Sequence, residues 1–570
     1  MMWEMAVISP MSVKHAAMRV LWAFLASAFA IIAAQAGATP ALPASSLYVI
    51  RYDHWSDADE RGYREFVQAI GESDCDTLDA CLHSDANPFR ASDRPGQKFE
   101  SDCAQLPYIL RFYYAWKRGL PFSYVSEVAP RGGSTGDIRY SRHGNIVAAR
   151  ITAPGGVMSG YQIIAQIRAN VSSATYRVSP DLDGPLPQDF YSPVLEPKSI
   201  RPGTVIYDPA GHLAIVYKVY PDGRVHFFDG HTDYTLTQMV YDLRFTRARP
   251  ADGAGFKNWR PIRLVGATRL ADGTLSGGYI VATPNKDIAD FSDEQYFGNG
   301  VRDADEDWAN GTFALNGEQL DYYDYVRAKL AGGQLVFDPV KEIGELATSI
   351  CSNLHYRVQA VDIALVAGMA KMPAPARLPH NIYGTDGDWE TYSTPSRDAR
   401  LKTAFKALRD EAQRFMELYK RGDPARHLHY SGSDLAQDML AVYDRHAAHC
   451  TVTYTRSDAS RVTLGYEEAR KRLFAMSFDP YQCAERRWGA ADTELSTCPD
   501  GSRKQAWYAA EQNLRNQLDR TYDTRMDFTP DELTTAGPGR GVPMPPDTDV
   551  RGYLESVRAA APVLNSSVGN

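Results

Sequence analysis

The sequence predicts an α+β fold organised in two domains, and three observations indicate it. At 570 residues the chain is too long for one hydrophobic core of ordinary size. Hydrophobic residues make up 44% and aromatic residues 11% of the chain, which excludes a disordered or collagen-like protein. β-Forming runs fade after about residue 285, where helical periodicity replaces them. We therefore expect a first α+β domain over residues 37–285, a mostly helical accessory domain over residues 286–535, and a Pro/Gly-rich linker and C-terminal tail over residues 536–570.

The N-terminus has the pattern of a cleavable secretory signal peptide over residues 1–36. Lys14 and Arg19 precede an apolar run, and a small-x-small site ends at Ala36. The alternative is an uncleaved anchor, because the run from Val20 to Ala38 is nearly long enough to span a membrane. We expect cleavage, no membrane span in the mature chain, and a periplasmic or secreted protein.

An oxidising compartment changes the interpretation of the seven cysteines, because an odd number leaves one thiol over. Six of them form three candidate pairs: Cys75 with Cys81, Cys351 with Cys450, and Cys483 with Cys498. Spacing alone does not fix the pairing. Cys103 is the cysteine without a convenient partner.

Cys103 directly precedes a predicted amphipathic helix. Apolar residues recur at helical spacing from Leu106 to Trp116, and Asp102 with Gln105 has the form of an N-terminal capping box. A thiol in the first turn faces free N–H groups, which favour the thiolate and could also hold an oxyanion. Pro107 is expected to remove one backbone hydrogen bond or to bend the helix. The alternative is that Cys103 is a small buried core residue or half of a disulfide.

The next informative segment is a predicted β-hairpin. The runs "HLAIVYKV", which His212 opens, and "RVHFFDG" are rich in β-formers and flank a turn over residues 220–223. A histidine at a strand start is more often structural than catalytic. Here, however, cysteine, histidine and aspartate follow one another in the order of a thiol nucleophile, its base and the group that orients the base.

The register of this hairpin decides which residues face His212. If Pro221–Asp222 are the central turn residues, His231 lies directly opposite His212, and Asp229 lies diagonally on the same side. A one-residue bulge at Gly223 would instead move Asp229 to the other face.

The segments "DCAQLPYILR" and "RPGTVIYDPAGHLAIVYKVYPDGRVHFFDGH" resemble the papain-like NlpC/P60 and CHAP group of cell-wall peptidases and amidases. In that group a "DC" at a helix start supplies the nucleophile, and a "PGD…GHVAIV" strand supplies the base. The resemblance covers about residues 95 to 235. It implies a papain-like domain in which a helix-borne cysteine meets an antiparallel sheet.

The resemblance also implies roles for individual residues. Cys103 would be the nucleophile, His212 the base, and Asp229 or His231 the third member. We favour Asp229, since papain-like and transglutaminase-like sites place Asn or Asp one strand after the histidine, whereas NlpC/P60 enzymes often use a second histidine. Gln97 matches the oxyanion glutamine of the papain pattern.

Two features depart from this group. Thr204 replaces the usual aspartate after "PG", and the interval between cysteine and histidine is longer than such domains need. An insertion within residues 124–197 would account for the interval. Its Pro and Gly content suggests loops that shape a substrate groove.

The second half of the chain contains less chemistry. Apolar stripes predict helices over residues 346–361 and 401–418, and the second stops at Gly422. The polar and aromatic segment from His380 to Leu401 predicts either a groove for sugar or peptide or an ordered interdomain loop. Neither a glycine-rich phosphate loop nor a metal-ligand set stands out, so we expect no cofactor and no metal.

We therefore expect an exported cysteine hydrolase that cleaves amide bonds, with peptidoglycan or another peptide as substrate. A transglutaminase-like acyl transferase uses the same order of residues and is one alternative. The other is a non-enzymatic cell-wall-binding or scaffold protein, in which Cys103 is paired or inert. The net charge of −9 and the lack of a basic patch argue against a nucleic-acid partner, and the sequence does not indicate an oligomeric state.

Overall fold

The computed structural model describes residues 46–133, 137–181, 186–245, 247–300, 302, 305–384, 387–422, 428–522 and 524–560. The predicted signal peptide lies outside these residues. The described chain is mixed α+β, as the sequence predicts. Residues 46–300 contain the main sheet and are called the sheet half, and residues 305–560 are called the helical half.

The described α-helices have the following bounds: Asp57–Glu72, Leu78–His83, Gln105–Arg118, Gly160–Asn170, Glu294–Phe297, Tyr322–Leu330, Pro339–Val366, Gly387–Tyr392, Pro395–Arg421, Leu435–Ala448, Tyr466–Arg472, Ala484–Arg487, Ser502–Ala510, Gln512–Asn516, Pro530–Leu533 and Val550–Ala560. Short antiparallel strand pairs lie outside the main sheet: Ser123–Pro130 with Asn145–Thr152, Ile262–Val265 with Tyr279–Ala282, Thr268–Arg269 with Leu275–Ser276, Phe313–Leu315 with Glu318–Leu320, and Thr451–Thr455 with Arg461–Gly465.

The main sheet of the described chain is antiparallel and six-stranded. Its strands follow one another in space in the order Phe190–Tyr191, Gly255–Trp259, Val205–Asp208, His212–Val219, Val225–Gly230 and Leu236–Val240. Residues of this sheet are buried on both faces, which explains why the strands contain near-continuous runs of Val, Ile, Phe and Tyr.

Different helices cover the two faces of the sheet. Leu213 and Ile215 belong to the core that contains the helix Gln105–Arg118. Ala214 and Val216 belong to a second core, which contains the helix Tyr322–Leu330 of the helical half. Because side chains alternate along a strand, His212 projects from the same face as Ala214 and therefore toward the helical half.

The helical half has its own core. The helices Pro339–Val366, Pro395–Arg421 and Leu435–Ala448 pack around apolar side chains, and the C-terminal helix Val550–Ala560 joins them. Val550 and Leu554 of that last helix are fully buried. The segment from residue 550, placed by the sequence in a linker and tail, is therefore part of this core.

The predicted cysteine pairs are confirmed. The described disulfides join Cys75 to Cys81, Cys351 to Cys450, and Cys483 to Cys498, and Cys103 is the cysteine that remains free. Such disulfides are compatible with an exported protein. Among the helices of the described ranges, none combines the length and the apolar character needed to cross a membrane.

The disulfide between Cys351 and Cys450 should stabilise the helical half more than the short one stabilises the sheet half. It spans 99 residues, against 6 for the bridge between Cys75 and Cys81. Loop-closure entropy then predicts that Cys351→Ala/Cys450→Ala lowers the free energy of unfolding by about 5 kcal/mol, and Cys75→Ala/Cys81→Ala by about 2 kcal/mol. Urea unfolding of the two double variants measures both. Equal losses would contradict the loop-length argument.

Candidate active site

The start of the helix Gln105–Arg118 positions Cys103. The backbone N–H of Gln105 donates to Asp102 Oδ1 at 2.8 Å, and the N–H of Asp102 donates to Gln105 Oε1 at 3.4 Å, so the predicted capping box is confirmed. Because Pro107 has no N–H, the carbonyl of Cys103 cannot form its intrahelical bond, and the regular helix begins two residues later. Cys103 therefore lies in an irregular first turn.

The end of the strand Val225–Gly230 lies directly against this turn. A Cβ atom on Gly230 would lie 3.0 Å from the carbonyl oxygen of Asp102 and 3.4 Å from the nitrogen of Cys103. Any side chain at this position would push the strand away from the helix start. A glycine is therefore what allows the sheet edge to reach the backbone of Cys103.

The thiol of Cys103 lies beside the backbone on either side of His212. Its Sγ is 3.9 Å from the carbonyl oxygen of Gly211, and the N–H of Leu213 faces it from the other side. No hydrogen bond joins Sγ to the imidazole of His212 in the described structure. The structure therefore brings the thiol against the backbone on both sides of His212, and not against the imidazole.

The predicted thiolate is wrong for this conformation. Burial, followed by the neighbouring Asp102 carboxylate, raises the pKa of the Cys103 thiol to about 12, although the N–H of Leu213 and the guanidinium of Arg400 act in the opposite direction. The helix start is too enclosed for its N–H groups to outweigh the loss of water. The thiol is protonated at neutral pH, and a nucleophilic role would require a base.

The hairpin has neither the two-residue turn nor the bulge at Gly223 that the sequence suggested as alternatives. Tyr220 pairs with Arg224, so the turn contains one residue more than a two-residue turn. A bulge at Tyr217 takes up this extra residue. Beyond the bulge, Ile215 pairs with Phe228, which is the register that a two-residue turn would have produced.

This restored register brings His212 and Asp229 together. His212 Nε2 lies 2.5 Å from Asp229 Oδ2, and both side chains are buried. The bond assigns the proton of the neutral imidazole to Nε2 and leaves Nδ1 as the acceptor. Burial, and then the charge of Arg400, lower the pKa of His212 despite the opposing effect of Asp229. A neutral imidazole with a free acceptor nitrogen can take a proton from a thiol.

His231 reaches Asp229 mainly through Thr237. The Thr237 hydroxyl donates to Asp229 Oδ1, and His231 Nε2 lies 3.1 Å from Thr237 Oγ1 and 3.6 Å from the same Asp229 oxygen. The ring of His231 also stacks on Tyr356 of the helical half at 4.0 Å between centroids. Of the two candidates for the third position, Asp229 is therefore the one in contact with His212.

Sequence reasoning missed Thr237. It stands directly opposite Asp229 on the neighbouring strand Leu236–Val240. The run "LTQMV" after the hairpin is a signal for that strand, and its pairing with Asp229 follows only from the register.

Gln97 does not join the site. Its side-chain amide donates to the carbonyl of Lys98 at 2.8 Å, and none of its contacts within the described residues involves Cys103. The oxyanion role implied by the papain pattern therefore has no support from its position. The backbone N–H of Cys103 remains available for that role, since no described acceptor engages it.

The helical half covers the His212 face with basic and aromatic side chains. The helix Pro395–Arg421 presents Arg397, which contacts Asp233 at 2.9 Å, and Arg400, whose charge acts on Cys103, His212 and Asp229. The segment from His380 to Leu401, left open between groove and interdomain loop, supplies these residues. It therefore both joins the halves and faces the site.

Two cavities flank the turn that contains Cys103. One, of about 510 Å³, is lined by Asp102, Gln105, Ala165, Arg168, Ala169, Thr232 and Tyr234. The other, also about 510 Å³, lies between the two halves, and Tyr140, Ala210, Arg400 and Tyr522 are among its lining residues. Cys103 itself is not among the residues that line either cavity.

The two histidines and the aspartate of the site could in principle bind a metal ion. His212, Asp229 and His231 are close enough to share an ion. Both oxygens of Asp229 already accept hydrogen bonds, however, and burial, followed by nearby charges that include Arg397 and Arg400, lowers the pKa of His231. Those charges would repel a divalent cation, so the arrangement suits proton transfer better than metal binding.

Comparison with known proteins assigns no relative. No protein-family model, no curated protein and no solved structure matches the chain. The chemistry of the site is therefore argued from its own geometry.

The protonation state of Cys103 predicts how its alkylation depends on pH. With a pKa of about 12, the thiolate fraction should rise about tenfold per pH unit and show no plateau below about pH 10. The rate of iodoacetamide labelling at Cys103, measured by peptide mass spectrometry across a pH series, checks this. Rapid labelling with a plateau below pH 7 would show a preformed thiolate instead.

Proposed function

We propose that this protein is an exported cysteine hydrolase that cleaves amide bonds through Cys103, His212 and Asp229. The supporting observation is the buried bond between His212 Nε2 and Asp229 Oδ2 beside a free cysteine. Such a bond fixes the imidazole as a base with its second nitrogen unoccupied. The papain-like fold class is part of this proposal.

The proposed reaction starts from two neutral groups. In the proposed first step the Cys103 side chain turns from the Gly211 carbonyl toward the imidazole. His212 Nδ1 then takes the thiol proton as the sulfur attacks the carbonyl carbon of the amide. The imidazolium then donates that proton to the leaving amine, and the acyl group remains on sulfur as a thioester. Water attacks the thioester with His212 again as base, and the acid is released.

In the proposed reaction, the site stabilises the imidazolium and the oxyanion that form during catalysis, whereas the free protein keeps the thiol and the imidazole neutral. Asp229 is fully buried, and its carboxylate stabilises the imidazolium only once the imidazolium forms. We assign the role of oxyanion donor to the Cys103 N–H, which no described acceptor engages. Burial keeps both reacting groups neutral in the free protein and raises the strength of these interactions when substrate is bound.

The proposed substrate class follows from compartment. Disulfides and the predicted signal peptide indicate export to the periplasm or the medium. Peptidoglycan is the nearest amide-rich polymer there, so its peptides are the proposed substrates.

One observation favours a non-enzymatic binding protein as the second candidate. The pKa of Cys103 is raised by burial, and its Sγ contacts a backbone carbonyl oxygen and not His212. An inert thiol of this kind would fit a protein that binds wall peptides without cleaving them.

Hydrolysis of wall peptides by the mature protein tests the proposal. Loss of the base should lower kcat/KM at least about 1,000-fold in His212→Ala, and Cys103→Ala should abolish turnover. His226→Ala is a matched control, because His226 lies on the same hairpin and contacts Tyr217 and Tyr220 away from the site. Product masses measured with and without an added amine separate a hydrolase from an acyl transferase.

Intact peptides with the unsubstituted protein would refute the hydrolase, and full activity in Cys103→Ala would refute the nucleophile. Binding of uncleaved peptide would favour the second candidate.

Thr237 should support catalysis without touching substrate. Thr237→Val removes the hydroxyl that donates to Asp229 while keeping the shape of the side chain, so we expect kcat to fall about tenfold with little change in KM. Thr237→Ser should restore kcat. Steady-state kinetics of both variants provides the measurement, and equal changes in kcat and KM would indicate a merely structural role.

A further inference from the structure

Arg400 is a buried cation without a partner. It lies in the helix Pro395–Arg421 and is 8% exposed. Its guanidinium makes no hydrogen bond or ion pair with any residue of the described ranges. It is nevertheless close enough to Cys103, His212 and Asp229 for its charge to act on all three.

Other arginines around the same cavity do have carboxylate partners. Arg520 contacts Asp208 at 2.6 Å, and Arg249 contacts Asp252 at 3.2 Å. Even so, Nη1 of Arg520 is buried without an acceptor. The cavity is therefore lined by one guanidinium, that of Arg400, for which the described residues provide no carboxylate, and by Arg520, one nitrogen of which is buried without an acceptor.

This arrangement is costly unless an anion enters. A buried charge without a partner is destabilising. Burial, and then the neighbouring Arg520, lower the pKa of Arg400, so both disfavour its charged form. A carboxylate in the cavity would provide the missing partner, since its two oxygens match the guanidinium of Arg400.

The cavity has the size and position for such a ligand. Its volume is about 510 Å³, and the stacked rings of Tyr140 and Tyr522 form part of its wall, 5.1 Å between centroids. Ala210 also lines it, one residue before Gly211, whose carbonyl contacts the thiol of Cys103. The cavity that Arg400 lines therefore reaches to within one residue of the backbone that contacts the thiol.

We propose that Arg400, assisted by Arg520, binds a carboxylate of the substrate in the cavity between the two halves. The inference rests on the proposed function and narrows its substrate class to peptides that carry a free carboxylate close to the amide bond that is cleaved.

Two alkylating reagents test this without knowledge of the substrate. Iodoacetate and iodoacetamide react alike: the Cys103 sulfur displaces iodide, a C–S bond forms, the C–I bond breaks, and the thiol proton passes to solvent or His212. They differ in that iodoacetate carries a carboxylate and iodoacetamide a neutral amide. Any change in thiol reactivity affects both, so the ratio of their rates at Cys103 isolates recognition of the carboxylate.

In the unsubstituted protein we expect iodoacetate to react faster and to show saturation. Arg400→Gln should lower the rate ratio about tenfold, the effect of one partly buried charge pair, and Arg400→Lys should retain part of the preference. Arg249→Gln is the matched control, because Arg249 lines the same cavity but is already paired with Asp252. Its ratio should not change.

A ratio that Arg400→Gln leaves unchanged would overturn the inference. If the variants fail to fold, protection of Cys103 from iodoacetamide by succinate in the unsubstituted protein decides, with chloride at equal ionic strength as control. Saturable protection supports the carboxylate site, and protection equal to that by chloride overturns it. If the unsubstituted protein hydrolyses no peptide but still prefers iodoacetate, and Arg400→Gln removes that preference, the proposed function is refuted and the carboxylate site stands.

Discussion

The hydrogen bond between His212 and Asp229 is the interaction on which the rest of the site depends. Both groups are buried, and each would be costly alone in that environment. The hairpin holds them in register because a bulge at Tyr217 compensates for a long turn. The hydroxyl of Thr237, on the neighbouring strand, donates a hydrogen bond to the other carboxylate oxygen of Asp229. The sheet is thus built so that one imidazole stays neutral, oriented and able to accept a proton at its second nitrogen.

The helical half is an integral part of this site. His212 lies on the sheet face that packs against the helical half, where its ring neighbours are His231 and Phe245, and Tyr356 of the helical half stacks on His231. Arg397 is balanced by Asp233, whereas Arg400 is left without a counter-ion. We infer that the helical half contributes substrate recognition, while the sheet half contributes the reacting groups.

Features set by local sequence could be predicted, and features set by distant packing could not. The capping box before the cysteine helix and the pairing of Cys75 with Cys81 depend on residues a few positions apart, and both are confirmed. Arg400 lies far from the hairpin in the sequence, and no pattern around it indicates that it belongs to the site. The thiolate was predicted from the helix start alone, and burial by both halves reverses that prediction.

The most direct test of this account is the protonation of His212, read from the nitrogen-15 resonances of its imidazole in the unsubstituted protein and in Cys103→Ala. The protein has 13 histidines, and His212→Gln assigns the signals. At neutral pH we expect a proton on Nε2 and none on Nδ1 in both proteins, because Nε2 contacts Asp229 and the thiol makes no hydrogen bond to the imidazole in the free protein. A protonated Nδ1 would contradict His212 as the base for Cys103.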